Sequence, residues 1–278
     1  MSQDRLKEWA ETAQYWARHH ETIRTMFEPL TRALIDQAGI KEGQSVLDVA
    51  GGAGEPSLTI AEVVGPRGSV MCTDPIAEMI AAAETDARER EIENVQFRQC
   101  GADVLPFADD AFDVVVSRLG AMFFPDPLAA LQEMLRVTKP GGSVALAVWH
   151  KSEINPFCYL ITDVMSRHVE AAPADPDAPN AFRFAEPGKL ANILKQAGAI
   201  DVEEQVVKFD LAAPITAEGF WTMRSETSET LRTKLKSLSD EERRQIGDEV
   251  ENAVEPFFPG GHMHFPTQII IISGRKPA

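Results

Sequence analysis

The chain has 278 residues, 44% hydrophobic and 25% charged, enough for a large core in one big α/β domain with additions or in two modest domains. Its formal charge of −16 repels a nucleic-acid backbone, so no nucleic acid is expected and a small-molecule partner fits better. Basic residues gather at Arg232-Thr-Lys-Leu-Lys236 and Arg243-Arg244, but acids are interleaved there, as on a solvated helix face.

In chain order, the first forty residues predict helix. Trp9, Trp16, Ile23, Met26, Phe27, Leu30, Leu34 and Ile35 recur at three-to-four spacing, and Pro29 is expected to break or kink the run. "SVLDVA" from Ser45 reads as a buried strand, and Pro56 to Val64 as the next helix. "GSVMCTD" (68–74) is a second strand, followed by a helix over "PIAEMIAAAETDARERE". "NVQFRQCGAD" (94–103) is a third strand and "AFDVVVSRLG" (111–120) a fourth, with a helix from Pro127 to Val137. "KPGG" at 139–142 predicts a sharp turn before a fifth strand, "SVALAVWH" (143–150). This alternation with short connections predicts a doubly wound, Rossmann-like parallel sheet with helices on both faces.

After Trp149 the rhythm breaks. An apolar helix-like stretch leads into "AAPADPDAPNAFRFAEP", a loop rich in proline and aspartate, and then a helix stopped by Gly198. "IDVEEQVVKFDL" is a sixth strand, residues 216–256 are helical and highly charged, and "HFPTQIIIISGRK" is the seventh strand. The expected whole is an α/β fold with a seven-stranded, mostly parallel sheet under a helical lid. Ile269–Ile272 is too short to span a bilayer, and the mixed-charge opening residues lack a signal-peptide core. A cytoplasmic protein without membrane insertion is expected. Cys72, Cys100 and Cys158 form no C-x-x-C pair and read as reduced thiols, and no metal site is expected.

In an open parallel sheet the ligand sits outside the carboxyl ends of the strands. Strand one offers Asp48 and then Ala50-Gly51-Gly52-Ala53-Gly54, where glycines let a ligand approach the backbone. Strand two ends in Asp74, about twenty residues further on, where an acid can accept from a ribose diol. Strand three ends in Ala102-Asp103, a second acid able to accept from an exocyclic amine. A nicotinamide fingerprint needs glycine or alanine where Ser57 stands, and Glu55 puts a negative side chain where a pyrophosphate would approach. No Gly-Lys-Ser/Thr follows, so a Walker loop is excluded.

Val46 to Ala61, Asp74, Ala102-Asp103, "FDVVVSRLGAMFFPDP" and "LRVTKPGGSVALAVW" together resemble the class I S-adenosylmethionine-dependent methyltransferases, in the ubiquinone/menaquinone-biosynthesis branch. The resemblance covers Gly43 to Trp149, while "NPF" (155–157) and "DAPNAFRFAEP" (177–187) resemble a bacterial small-molecule group of that branch. It implies S-adenosylmethionine as cofactor, with Gly52 and Gly54 under the methionine moiety, Asp74 on the ribose, and Asp103 with Val104 at the adenine. Ser117 and Arg118 would face the methionine portion and the reacting methyl, and Asp48, Ala50, Gly51, Pro75, Met79 and Ala102 complete the implied cofactor set. Ala50 stands where the pattern has its first glycine.

The implied activity is methyl transfer to a small, partly apolar or aromatic acceptor. A quinone-ring C-methyltransferase and a non-catalytic S-adenosylmethionine-binding sensor or assembly module are its rivals. The division implied is a helical lid segment (1–42), an S-adenosylmethionine-binding core (43–150), and a remainder (151–278) that adds two strands and further lid helices. Acceptor candidates come from the lid: Tyr15, Trp16, His19, His20, Phe123, Trp149, Asn155, Phe182, Arg183, Phe184, Trp221 and Arg224. For each tryptophan core packing is the competing reading, and for each histidine a structural or solvated role. His150 and His262 are the preferred general bases; His262 and His264 lack a third ligand for a metal. A homodimer is left open.

Overall fold

A computed structural model describes residues 3–169, 175 and 177–278, with side chains from Leu6 onward. Residues 171–174 and 176 of the expected proline-rich loop lie outside the described residues.

Seven strands form one sheet: β1 (Ser45–Val49), β2 (Ser69–Asp74), β3 (Val95–Gln99), β4 (Phe112–Arg118), β5 (Thr138–Trp149), β6 (Ile200–Ala213) and β7 (Met263–Arg275). Their order is β3-β2-β1-β4-β5-β7-β6. The first five pair in parallel, and β7 lies antiparallel between β5 and β6. The order reverses between β1 and β4, which opens a crevice at their carboxyl ends.

The middles of β1 and β4 are apolar on both faces because helices cover the sheet on either side there. Val46, Leu47, Val115 and Val116 are fully buried. Edge strand β6 exposes Glu203, Glu204 and Gln205, a charged edge that discourages pairing with another chain. The helices are α1 (Gln3–Arg18), α2 (His20–Ala38), α3 (Ser57–Val64), α4 (Ala77–Glu89), α5 (Pro127–Val137), α6 (Pro156–His168), α7 (Lys189–Gln196), α8 (Ala217–Thr227), α9 (Glu229–Lys236) and α10 (Asp240–Val254).

Three local expectations are corrected. Pro29 lies inside α2, and the interruption falls at His19, between α1 and α2. Leu30 and Leu34 are fully buried under this helix, and that packing holds α2 together across the missing amide. β3 stops at Gln99, so Ala102 and Asp103 stand on the loop beyond the strand. The "KPGG" stretch belongs to β5 itself. The register against β4 slips there from Phe112↔Thr138 to Val114↔Ser143, and Gly141 takes the positive φ of 72° that the irregularity requires.

Candidate functional site

The glycine turn leaves β1 with Ala50 at φ 59°, Gly52 at 58° and Gly54 at 115°. Gly54 leaves little room for a side chain, since a Cβ would lie 3.2 Å from Leu58 Cδ1 and 3.4 Å from Ala83, and its positive φ strains any other residue. Asp74 at the end of β2 ties down the turn, one carboxylate oxygen accepting from Gly52 N at 3.1 Å and the other from Ile76 N at 2.9 Å. Burial pushes the Asp74 carboxyl up to about 6, against the opposing pull of those two amides.

A cavity of about 710 Å³ opens over this turn, within the ~300–1,000 Å³ common for small-molecule sites. One wall consists of Ala50, Gly51, Gly52, Asp74, Pro75, Met79, Ala102, Asp103 and Arg118. The opposite wall belongs to the lid, with Trp16 and His20 from the N-terminal helices, Phe123, Phe182, and Met223 and Arg224 from α8. Trp149 lines its floor, and its ring stacks on Phe157 at 6.0 Å. The lid is held by a contact distant in sequence: Glu226 of α8 takes Arg18 at 2.6 Å and His19 at 2.7 Å.

Several predicted site residues lie outside this lining. Asp48 is fully buried beneath the turn, where it accepts from Ser57 Oγ at 2.6 Å. Burial pushes its carboxyl up to about 7, opposed by Ser57 and by nearby Arg118, and its Oδ1 has no partner. Gly54 and buried Ser117 shape the turn from behind. Val104 is 69% exposed, because the loop beyond β3 directs it to solvent. Asn155 is a buried brace, donating to His150 O, Lys151 O and Gln268 O and accepting from Gln268 N. Tyr15 lies under the guanidinium groups of Arg18 and Arg232, Phe184 under Arg183, and Trp221 packs against Gly247.

Both preferred bases are corrected as well. His150 Nδ1 accepts from Lys151 N at 2.7 Å at the turn after β5, and His262 is exposed before β7; neither lines the cavity. His264 is exposed and pairs with Asp210 at 3.6 Å. His20 does line it, with Nδ1 at 2.7 Å from Ala17 O. Among the described residues, no group of three His, Cys, Asp or Glu could hold a metal ion. No described helix is long and apolar enough to cross a membrane.

Two further features were not anticipated. Among the described residues Arg118 forms no ion pair with an acid: it donates to Thr31 Oγ1 at 2.6 Å and to Glu55 O at 3.1 Å, and lies 5.5 Å from the Phe27 ring. Burial lowers its pKa. The Glu55 carboxylate is bound to Arg90 at 2.7 Å, so its charge is already matched, which weakens the electrostatic case against a pyrophosphate. Nothing local in sequence marks Thr31 or Arg90, since both partners come from distant elements.

Residues 26–164 match the ubiE/COQ5 methyltransferase family. The chain belongs to that family. It is 40% identical over 121 residues to the uncharacterized Mycobacterium tuberculosis protein Rv1405c, covering 44% of this chain and 43% of that one. It is 30% identical over 195 residues to the ubiquinone/menaquinone biosynthesis C-methyltransferase UbiE of Pasteurella multocida, covering 67% and 72%. Against the mycobacterial relative, then, the chain spans less than half of the curated length. The fold is that of the YcgJ protein from Bacillus subtilis, with a TM-score of 0.55 at 23% identity over 94% of this chain and all of that one.

Proposed function

We propose that this chain is an S-adenosylmethionine-dependent methyltransferase acting on a small acceptor that is partly apolar or aromatic. The observation that carries this reading is the continuity of one cavity, from the glycine turn and Asp74 to the apolar lid and Trp149. The donor set fits the adenosine end: each Asp74 oxygen accepts one backbone amide, which leaves lone pairs for the two ribose hydroxyls. Asp103, exposed on the loop beyond β3, stands at the cavity wall where an adenine amine can donate.

When bound, the cofactor supplies an electrophilic methyl group on a sulfonium sulfur. The chain's part is alignment and exclusion of water, and such positioning can supply ~7–11 kcal/mol of a barrier. Gly51 and Gly52 present bare backbone to the amino-acid end, and Arg118 braces the turn through Glu55 O. Trp149 and Met223 desolvate the acceptor side. Among the described residues His20 is the histidine on the lining, and it takes the place of His150 and His262 as the candidate base.

Calorimetric titration with S-adenosylmethionine and S-adenosylhomocysteine should give saturable binding of both, with none for NAD. Absence of binding to either would sink the reading. The relatives named UbiE favour a second reading, quinone-ring C-methylation. Complementation of a quinone-deficient strain would support it over other acceptors. A sensor without turnover would bind the cofactor yet transfer no labelled methyl to any component of a metabolite extract.

A further inference from the structure

Arg224, on α8, lines the cavity and lies 4.5 Å from the Phe157 ring centroid. Among the described residues, no hydrogen bond or ion pair is formed by its guanidinium. Its Nε is covered and without a partner, while the side chain as a whole is half-buried. Of the acids on the lining, Asp103 stands across the cavity, Glu229 opens α9, and the other three are engaged elsewhere. Glu55 and Asp86 meet Arg90, and Asp74 holds two backbone amides; Glu226, off the lining and two residues along α8, binds Arg18 and His19.

Cys158 is the titratable group whose charge bears on Arg224. Burial pushes its thiol up to about 11 in spite of Arg224, so it stays neutral at physiological pH. A guanidinium in such a place is costly unless something compensates it. The Phe157 face supplies a cation–π contact and leaves the in-plane N–H donors unused. An aromatic face behind and vacant donors in the plane make a receptor for a flat anion.

We propose, resting on the methyltransferase reading, that the methyl acceptor carries a carboxylate, gripped by the terminal N–H groups of Arg224 while its apolar body lies against Phe157, Trp149 and Met223. A monoanion is favoured over a phosphate because the wall around Arg224 is mostly apolar and two acids, Asp74 and Asp103, stand across the cavity to oppose a second negative charge. Lys234, also on the lining, forms no ion pair among the described residues and adds to the positive field at that end. The carboxylate fixes the orientation of the acceptor and does not itself need to be the methylated group.

The test is calorimetric titration of the protein, with and without S-adenosylhomocysteine, using 1-naphthoate, 1-naphthamide, 1-naphthol and 1-naphthyl phosphate. The acid should bind about 10- to 100-fold more tightly than the amide. Arg224→Gln should abolish that preference and Arg224→Lys should keep part of it, with S-adenosylhomocysteine affinity unchanged in both. The inference is overturned if the amide, naphthol or phosphate binds as well as the acid, if no naphthyl probe binds, or if Arg224→Gln leaves the preference intact. Failure of S-adenosylhomocysteine to bind the unaltered protein refutes the methyl-donor reading separately, since the naphthoate titration does not depend on it.

Discussion

Replacing Asp48 with asparagine should stabilise the protein at alkaline pH and destabilise it at acid pH. Asp48 is fully buried, and its carboxyl is pushed from 3.8 to about 7 by burial. That displacement makes the ionised form about 4 kcal/mol less favourable in the fold than in the unfolded chain. Below 3.8 both states are protonated and nothing is lost. Between 3.8 and about 7 the unfolded chain releases its proton and the folded one keeps it, so stability falls as pH rises. Above about 7 the loss is complete.

An asparagine escapes this penalty, and its carbonyl can still accept from Ser57 Oγ. Its amide group then takes the place of Oδ1, which has no partner, at a cost of about 1–3 kcal/mol. At pH 8 the variant should therefore be more stable by about 1–3 kcal/mol. Between pH 5 and pH 8 the gap between the two proteins should move by about 3 kcal/mol. Urea unfolding at several pH values measures it, and the comparison cancels the general self-repulsion of a chain of charge −16. A gap that does not change with pH would show that Asp48 titrates normally, and the reasoning would fail.

Asp74→Asn should weaken S-adenosylhomocysteine binding about 10- to 100-fold by calorimetry, as expected for losing hydrogen bonds to a charged acceptor. In the unaltered protein, affinity should decline as pH drops through about 6, because protonated Asp74 loses acceptor strength; the asparagine variant should lack that decline. Ala50→Gly should raise stability by about 1–2 kcal/mol, since an L-residue at φ 59° is strained and glycine is not. Thermal melts check it, and an unchanged or lower Tm would mean that the alanine methyl contributes packing worth more than the strain.

The sheet was legible because β1, β2, β4 and the latter part of β5 are apolar on both faces, a pattern that strong periodicity does not blur. Asp74 was legible too, since a strand end next to a glycine turn has one place to go. What stayed hidden was direction. His150 follows β5 as expected, yet its ring nitrogen turns back to the Lys151 amide. Trp221 and Arg224 lie three residues apart on α8, and packing sends one toward α10 and the other into the cavity. Only long-range contacts decide such choices, and Glu226 with His19, separated by 207 positions, is one that no local window contains.

The hairpin of β6 and β7 makes one part of the helical cover over the cavity, α8 to α10, a cassette. Ala213 and Met263 are paired across the sheet, so residues 214–262 leave and return at neighbouring points on two adjacent strands. A segment joined in this way can be lengthened, shortened or exchanged while the strands on either side keep their register. The cavity wall that α8 and α9 supply, Met223 and Arg224 among it, can therefore change while the turn at Gly52 and Asp74 stays fixed. A chimera carrying a relative's segment between β6 and β7 is the natural unit for moving one acceptor preference onto this scaffold.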